Sequence, residues 1–66
     1  MNEIVTFYPQ DGKSPAITVR QDGPVFYTEV IERDGSVLRL DPCQHFREAL
    51  AGCVYAMDSQ PYTTEP

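Results

Sequence analysis

Few side chains in the sequence could do chemistry. His45 is the one histidine, and Ser36 or Cys43 could serve as a nucleophile only if His45 activated it as a general base. Cys43 lies two positions from His45, and side chains at that spacing do not face each other on a helix, which is the element predicted below for both residues. We therefore predict that the protein is not an enzyme. A catalytic alternative would need a site containing His45 that two copies of the chain share.

Metal and cofactor sites are also not indicated. Zinc sites use three or four Cys or His ligands, and Cys43, His45 and Cys53 are the full supply, all on one predicted helix. Asp11-Gly12 and Asp34-Gly35 are isolated turn dipeptides that lack the alternating oxygen ligands of a calcium loop. The four glycines are scattered and form no phosphate-binding loop. We expect no metal and no cofactor.

Four segments have the composition of β-strands. They are rich in β-branched and aromatic residues, and clusters of turn-forming residues separate them. The predicted strands are residues 2–8, 16–20, 25–33 and 36–40. In the second of them Ile17 and Val19 alternate onto one face, which predicts that this face is buried. Asp34-Gly35 between the last two is the strongest hairpin signal in the chain. The sequence therefore predicts an antiparallel β-meander of three to four strands.

The third predicted strand has large apolar residues on both faces. Phe26 and Val30 alternate onto one face, and Tyr27 and Ile31 onto the other. One face is expected to pack against a helix. The second face is then expected to be a partner surface or a dimer interface.

A C-terminal helix follows the strands. Asp41 is predicted to be its N-cap, Pro42 its first residue and Gln44 the third residue of a capping box. Apolar residues at three- and four-residue spacings predict its buried face: Cys43, Phe46, Leu50, Cys53, Val54 and Met57. Gly52 is expected at a close approach of helix and sheet. The helix is expected to end near Asp58-Ser59 because Gln60-Pro61 opposes its continuation.

Together these elements predict an α+β fold, a three- to four-stranded β-meander packed by one C-terminal α-helix. Residues 1–58 are expected to form one domain and residues 59–66 a polar tail. On one helix Cys43 and Cys53 would lie about 15 Å apart along the axis, too far for a disulfide. Both are expected to be reduced thiols that face the core.

The composition is acidic. Ten carboxylates against five Lys and Arg residues give a net charge of −5 and a pI of about 4.5. This charge disfavours direct binding to nucleic acid or to an anionic membrane, and it favours a basic protein surface as the partner. The first residues, Met1-Asn2-Glu3-Ile4, lack the basic start of a signal peptide, and no apolar run would span a bilayer. A cytoplasmic location is expected.

The carboxylates are predicted to gather at the ends of the sheet. In a meander alternate connections emerge at the same end, so Asp11 should lie near Asp34 and Asp22 near Asp41. Glu32 and Asp34 are expected to share one face of the third strand, with Glu29 on the other face. The predicted partner-binding residues are Asp11, Asp22, Glu29, Glu32, Asp34, Glu48 and Asp58. The alternative is that these are ordinary solvated carboxylates with local turn and capping roles.

In its size, its acidity, its Met1-Asn2-Glu3-Ile4 opening and its sheet-then-helix order, the whole chain resembles the phage-borne anti-CRISPR proteins. Among them it is most similar to short inhibitors of type I-C systems. These inhibitors share no motif, so no residue role is carried over. The resemblance implies a DNA mimic in the host cytoplasm that binds the DNA-recognising subunit of a type I CRISPR complex and blocks DNA access without chemistry.

A function of a different class remains open on the sequence. The chain could be a small regulatory or assembly module that dimerises through the second apolar face of its sheet. A charge-based mimic should lose partner affinity as salt is raised, whereas an apolar dimer interface should keep or gain affinity. We expect the chain to be a monomer or a weak homodimer, and either state is compatible with both functions.

Overall fold

A computed structural model describes residues 2–58 and 60–65 of the chain. The elements in chain order are β1 (Asn2–Pro9), β2 (Ala16–Asp22), β3 (Val25–Ile31), β4 (Val37–Arg39), α1 (Phe46–Met57) and β5 (Tyr62–Thr63). The strands form one antiparallel sheet in the order β4-β3-β2-β1-β5. The predicted α+β fold, a β-meander followed by a C-terminal helix, is confirmed. No helix in the described ranges has the length and apolar composition needed to cross a bilayer.

The core lies between one face of the sheet and α1. Ile17 and Val19 of β2 point to this side, as their alternation predicted, and both are fully buried. Ala49 and Cys53 of α1 complete the buried cluster. Phe26 of β3 packs against it from the side. Small side chains on the helix thus allow a close approach to the central strand.

Gly52 shows how close that approach is. A Cβ atom at Gly52 would lie 3.2 Å from Oγ1 of Thr28 on β3. The Thr28 hydroxyl donates a hydrogen bond of 2.7 Å to the carbonyl of Ala49, one turn earlier on α1. The predicted role of Gly52 at a close helix–sheet contact is confirmed.

The predicted start of the helix is wrong. Asp41 and Pro42 are not at its N-terminus, because α1 begins at Phe46 and His45 is the N-cap, without a side-chain capping hydrogen bond. Residues 40–43 instead continue along β3. The amide of Leu40 donates to Thr28, and Cys43 exchanges two hydrogen bonds of 2.8 Å with Phe26. Backbone groups that pair with a strand are not available for a helix.

The buried face of the helix is also rotated from the predicted one. Val54 is 64% exposed, whereas Ala49, outside the predicted stripe, is 1% exposed. Cys43 lies outside the helix, so the spacing argument made for Cys43 and Cys53 does not apply. Both thiols are free, with Cys53 fully buried and Cys43 half-buried beside the core.

Residues 60–65 include an element that the sequence did not predict. Tyr62–Thr63 forms β5 against Tyr8 and Pro9 at the end of β1. Tyr62 packs against the core, and its hydroxyl donates a hydrogen bond of 2.8 Å to the carbonyl of Pro15. A polar tail is therefore not a full description of this segment. Ser59 and Pro66, which belong to the same predicted tail, lie outside the described residues.

Candidate partner-binding surface

Glu29, one of the predicted partner-binding residues, is buried. Its residue exposure is 4%. Its carboxylate accepts hydrogen bonds of 2.7 Å from Arg20 Nε and 2.9 Å from Arg39 Nε. Burial raises the pKa of Glu29, but the hydrogen bonds and charges of Arg39 and Arg20 outweigh it, and the net shift is downward. Glu29 has a structural role, and we remove it from the partner-binding set.

The same ion pairs change the predicted character of the second sheet face. Thr18, between Arg20 and Ala16 on β2, is fully buried on this face and hydrogen bonds to Thr6 at 2.9 Å. Arg39 stacks over the ring of Tyr27, with 4.8 Å from its guanidinium carbon to the ring centroid. The centre of the face is therefore polar and internally paired. It is not the second apolar face that the alternation of β3 predicted.

Asp11 lies in the β1–β2 connection and organises that loop. Its carboxylate accepts from the amides of Lys13 and Ser14, each at 2.9 Å, and from the Ser14 hydroxyl at 2.6 Å. These bonds, led by the one from the Ser14 hydroxyl, lower the pKa of Asp11 from 3.8 to about 2. Asp11 is exposed, so the loop presents a fixed negative charge to solvent.

Asp34 has the same arrangement in the β3–β4 connection. It accepts from the amide of Ser36 at 2.9 Å and from the Ser36 hydroxyl at 2.7 Å. The hydroxyl bond, followed by the amide bond, lowers the pKa of Asp34. Glu32 precedes this turn and is not in β3, which ends at Ile31. The prediction that Glu32 and Asp34 share a face of that strand is therefore wrong.

The two connections lie at the same end of the sheet. A Cβ atom added at Gly12 would lie 4.0 Å from Nη2 of Arg33. Burial, and then the charges of Asp11 and Glu32, raise the pKa of Tyr62, so both carboxylates lie within electrostatic range of its hydroxyl. We call Asp11, Glu32 and Asp34 the loop end.

The other three predicted carboxylates lie elsewhere. Asp22 is exposed at the last position of β2, beside Gly23, which has a positive φ of 60° in the β2–β3 turn. Glu48 is exposed in the first turn of α1, and Asp58 is exposed directly after its last turn. Ala51 and Tyr55 follow Glu48 at three- and four-residue spacings on the exposed side of the helix, and Val54 lies next to Tyr55. We call these five helix-side residues the helix outer face.

The surplus negative charge is on the surface. Glu3, Arg20, Glu29 and Arg39 form one ion-pair group whose charges sum to zero. Setting that group aside, the chain retains eight carboxylates against three cations, Lys13, Arg33 and Arg47. Within the described ranges, every ion pair involves Arg20 or Arg39. Among the seven predicted residues in these ranges, only Glu29 forms an ion pair with arginine, although the charge of Arg33 also acts on Asp11.

The residues considered for chemistry are separated by their elements. His45 caps the start of α1 in an extended conformation, with φ −127° and ψ 140°. Cys43 is paired to β3, and Ser36 is held in the turn by Asp34. Among residues 2–58 and 60–65, no three His, Cys, Asp or Glu side chains are placed to hold a metal ion. The described surface offers charge and apolar contact area rather than a cluster of reactive groups.

Only some of the helix residues in the candidate surface could be predicted from the sequence. Glu48 and Asp58 were predicted because they are acidic. Tyr55, which is 88% exposed, was not considered, although it lies seven residues after Glu48 and three before Asp58. That spacing is the available signal, because it places the three residues on one side of a helix. A comparison of the chain with protein-family models, curated proteins and solved structures finds no match.

Proposed function

We propose that the protein is a non-enzymatic, acidic binding protein that blocks the nucleic-acid-binding surface of a partner. In this proposal it is a DNA mimic that inhibits a type I CRISPR surveillance complex in the cytoplasm of the host cell. The observation that supports it is the surface excess of eight carboxylates over three cations outside the neutral Glu29 group. Cations that hold DNA phosphates could pair with these carboxylates instead.

The fixed geometry of the loop end adds to this support. Asp11 and Asp34 are both held by hydroxyl and amide donors of their own turns, so little side-chain freedom is left to lose on binding. Duplex DNA likewise presents its negative charges at fixed spacings. Aspartate is ionised at neutral pH in any case, and the lowered pKa values of Asp11 and Asp34 extend the charge into more acidic solution.

The proposal can be tested by competition for DNA. A purified type I-C surveillance complex is incubated with the protein and then with fluorescent duplex target DNA, and DNA binding is measured by anisotropy. The unmodified protein should reduce DNA binding, and the inhibition should weaken steeply as salt is raised. No inhibition at low salt by the folded protein would refute the proposed function.

A matched pair of variants separates the surface from the net charge. One variant carries Asp11→Asn, Glu32→Gln and Asp34→Asn. The other carries Asp22→Asn, Asp41→Asn and Glu65→Gln, which remove the same charge at exposed carboxylates outside both the loop end and the Glu29 ion-pair group. The first should inhibit at least about tenfold less well than the second, equivalent to roughly 1.4 kcal/mol. Equal inhibition by both would show that only the total charge matters.

A second candidate function is a small assembly module that forms homodimers, and the edge of the sheet favours it. Val37 and Leu38 of edge strand β4 are 55% and 59% exposed. An edge strand presents unpaired backbone N–H and C=O groups to another strand, and exposed aliphatic side chains there favour such pairing. Sedimentation of the unmodified protein and of Leu38→Lys would test it. A dimer that persists in high salt and is lost in the variant would support assembly, and a monomer at all concentrations would exclude it.

A further inference from the structure

The C-terminal end of α1 carries one acidic residue, Asp58. Asp58, the residue after the last helical residue, has the left-handed conformation, with φ 49° and ψ 49°. Its amide donates a hydrogen bond of 3.2 Å to the carbonyl of Tyr55. The carboxylate of Asp58 therefore lies at the negative end of the helix dipole. The last turn, residues 54–57, contains no basic residue to offset it.

Local energetics disfavour this residue at this position. Glycine or asparagine is preferred where a helix ends in the left-handed conformation, and cations are preferred near helix C-termini. Aspartate enters the left-handed region more readily than most residues, but the charge of Asp58 goes against the second preference. A residue that goes against a local preference is expected where a binding function requires it. The charge that is unfavourable in the isolated protein becomes favourable when a cation is bound.

An open cavity adjoins this charge. Its volume is about 780 Å³. Its wall is formed by Val54, Tyr55, Ala56, Met57, Asp58 and Gln60. Tyr55 and Val54 are the two most exposed large hydrophobic residues among those described, at 88% and 64%. Because Tyr55 and Asp58 line the same cavity, the wall offers both an exposed aromatic ring and an acidic residue.

We propose that this cavity binds an arginine side chain of the protein partner. The guanidinium group would pair with the carboxylate of Asp58 and stack on the ring of Tyr55, and its aliphatic stem would lie along Val54. The inference rests on the proposed function, because the arginine would come from the cationic partner surface that the acidic protein covers. It adds an anchor at the helix outer face to the charges of the loop end.

Arginine fits this cavity better than lysine does. A guanidinium group is planar, can form two parallel hydrogen bonds to one carboxylate and stacks on aromatic rings. It is also more weakly hydrated than an ammonium group, so a shallow and open site can hold it. Arginine and tyrosine are enriched in protein interfaces, and both carry much of the binding energy there.

The test uses N-acetyl-arginine amide as the probe and the amide NMR spectrum of the full chain as the readout. Chemical-shift changes are expected in residues 54–58 and Gln60, and N-acetyl-citrulline amide, an uncharged isostere, should cause none. Asp58→Asn keeps a residue that tolerates the left-handed conformation and should weaken probe binding about tenfold. Glu65→Gln makes the same charge change elsewhere and should leave probe binding unchanged. Shift changes spread over all the surface carboxylates, or equal binding by Asp58→Asn, would overturn the proposal.

The DNA-competition assay separates this inference from the proposed function. If the unmodified protein blocks DNA binding and Asp58→Asn blocks it equally well, the arginine site is refuted while the proposed function stands. If Asp58→Asn and Tyr55→Ala both inhibit less and keep the far-ultraviolet spectrum of the fold, the site is supported. If the unmodified protein does not inhibit at all, the proposed function fails, and the probe titration alone decides whether the cavity binds arginine.

Discussion

Replacement of Glu29 by glutamine tests whether the buried ion-pair group holds the second face of the sheet together. The Glu29 side chain is 6% exposed, whereas those of Arg20 and Arg39 are 30% and 45% exposed. Breaking a fully buried pair costs about 3–5 kcal/mol. Water can reach both arginines and restore part of that loss, and glutamine keeps one acceptor oxygen. We therefore expect a cost of about 2 kcal/mol.

A loss of this size is large for a chain of 66 residues. At roughly 4–8 °C for each kcal/mol, the melting temperature should fall by about 8–16 °C. Urea unfolding followed by far-ultraviolet circular dichroism gives the free energy of unfolding directly. Glu65→Gln, an exposed change of the same kind, is the control and should have almost no effect. A free energy within about 0.5 kcal/mol of the unmodified value would refute the structural role of Glu29.

The pH dependence has a definite sign. Because the pKa of Glu29 is lowered from 4.5 by folding, its stabilisation is complete above the unfolded value and is lost as the pH falls through the folded value. The difference in stability between the unmodified protein and Glu29→Gln should therefore be constant near neutral pH and shrink in acid below pH 4.5. A difference that grows in acid would contradict the ion-pair assignment.

Three further changes can be checked separately. Gly52→Ala should lower the free energy of unfolding, measured in urea, by about 1 kcal/mol. The added Cβ would lie 3.2 Å from Thr28 Oγ1 and disturb the hydrogen bond of that hydroxyl, and this cost outweighs the better helix propensity of alanine. An NMR titration that follows the carboxyl carbon of Asp11 should give a pKa of about 2, below the ordinary value of 3.8. The amide chemical shifts of the β1–β2 loop should therefore stay constant above pH 3.8 and change as the pH falls through about 2. A thiol reagent should modify half-buried Cys43 first and Cys53 only on unfolding, because burial raises the pKa of the Cys53 thiol.

Strands were predicted from the sequence because their signals are local. Alternation placed Ile17 and Val19 in the core, and Asp34-Gly35 marked the β3–β4 connection. The start of the helix was predicted wrongly because the signal of Asp41-Pro42 is equally local. Pairing of Cys43 with Phe26, seventeen positions away, decides the backbone there, and no capping pattern reports such a contact.

The candidate site was predicted less well for related reasons. The acidity of Glu29 was evident, but its burial depends on Arg20 and Arg39, which reach it from two other strands. Ala49 was left out of the buried face because a small side chain contributes little to a hydrophobic pattern, even though it lets α1 approach the sheet. Two-residue β5 is too short to show any alternation.

Strand β5 has a consequence for the order in which the protein can assemble during synthesis. The hydroxyl of Tyr62 reaches back across 47 positions to Pro15, and β5 pairs with the end of β1. Synthesis runs from β1 towards β5, so β1 gains its outer neighbour only after residues 62 and 63 have left the exit tunnel of the ribosome. Closure of this edge of the sheet therefore has to wait until β2 to β4 and the helix have also been made.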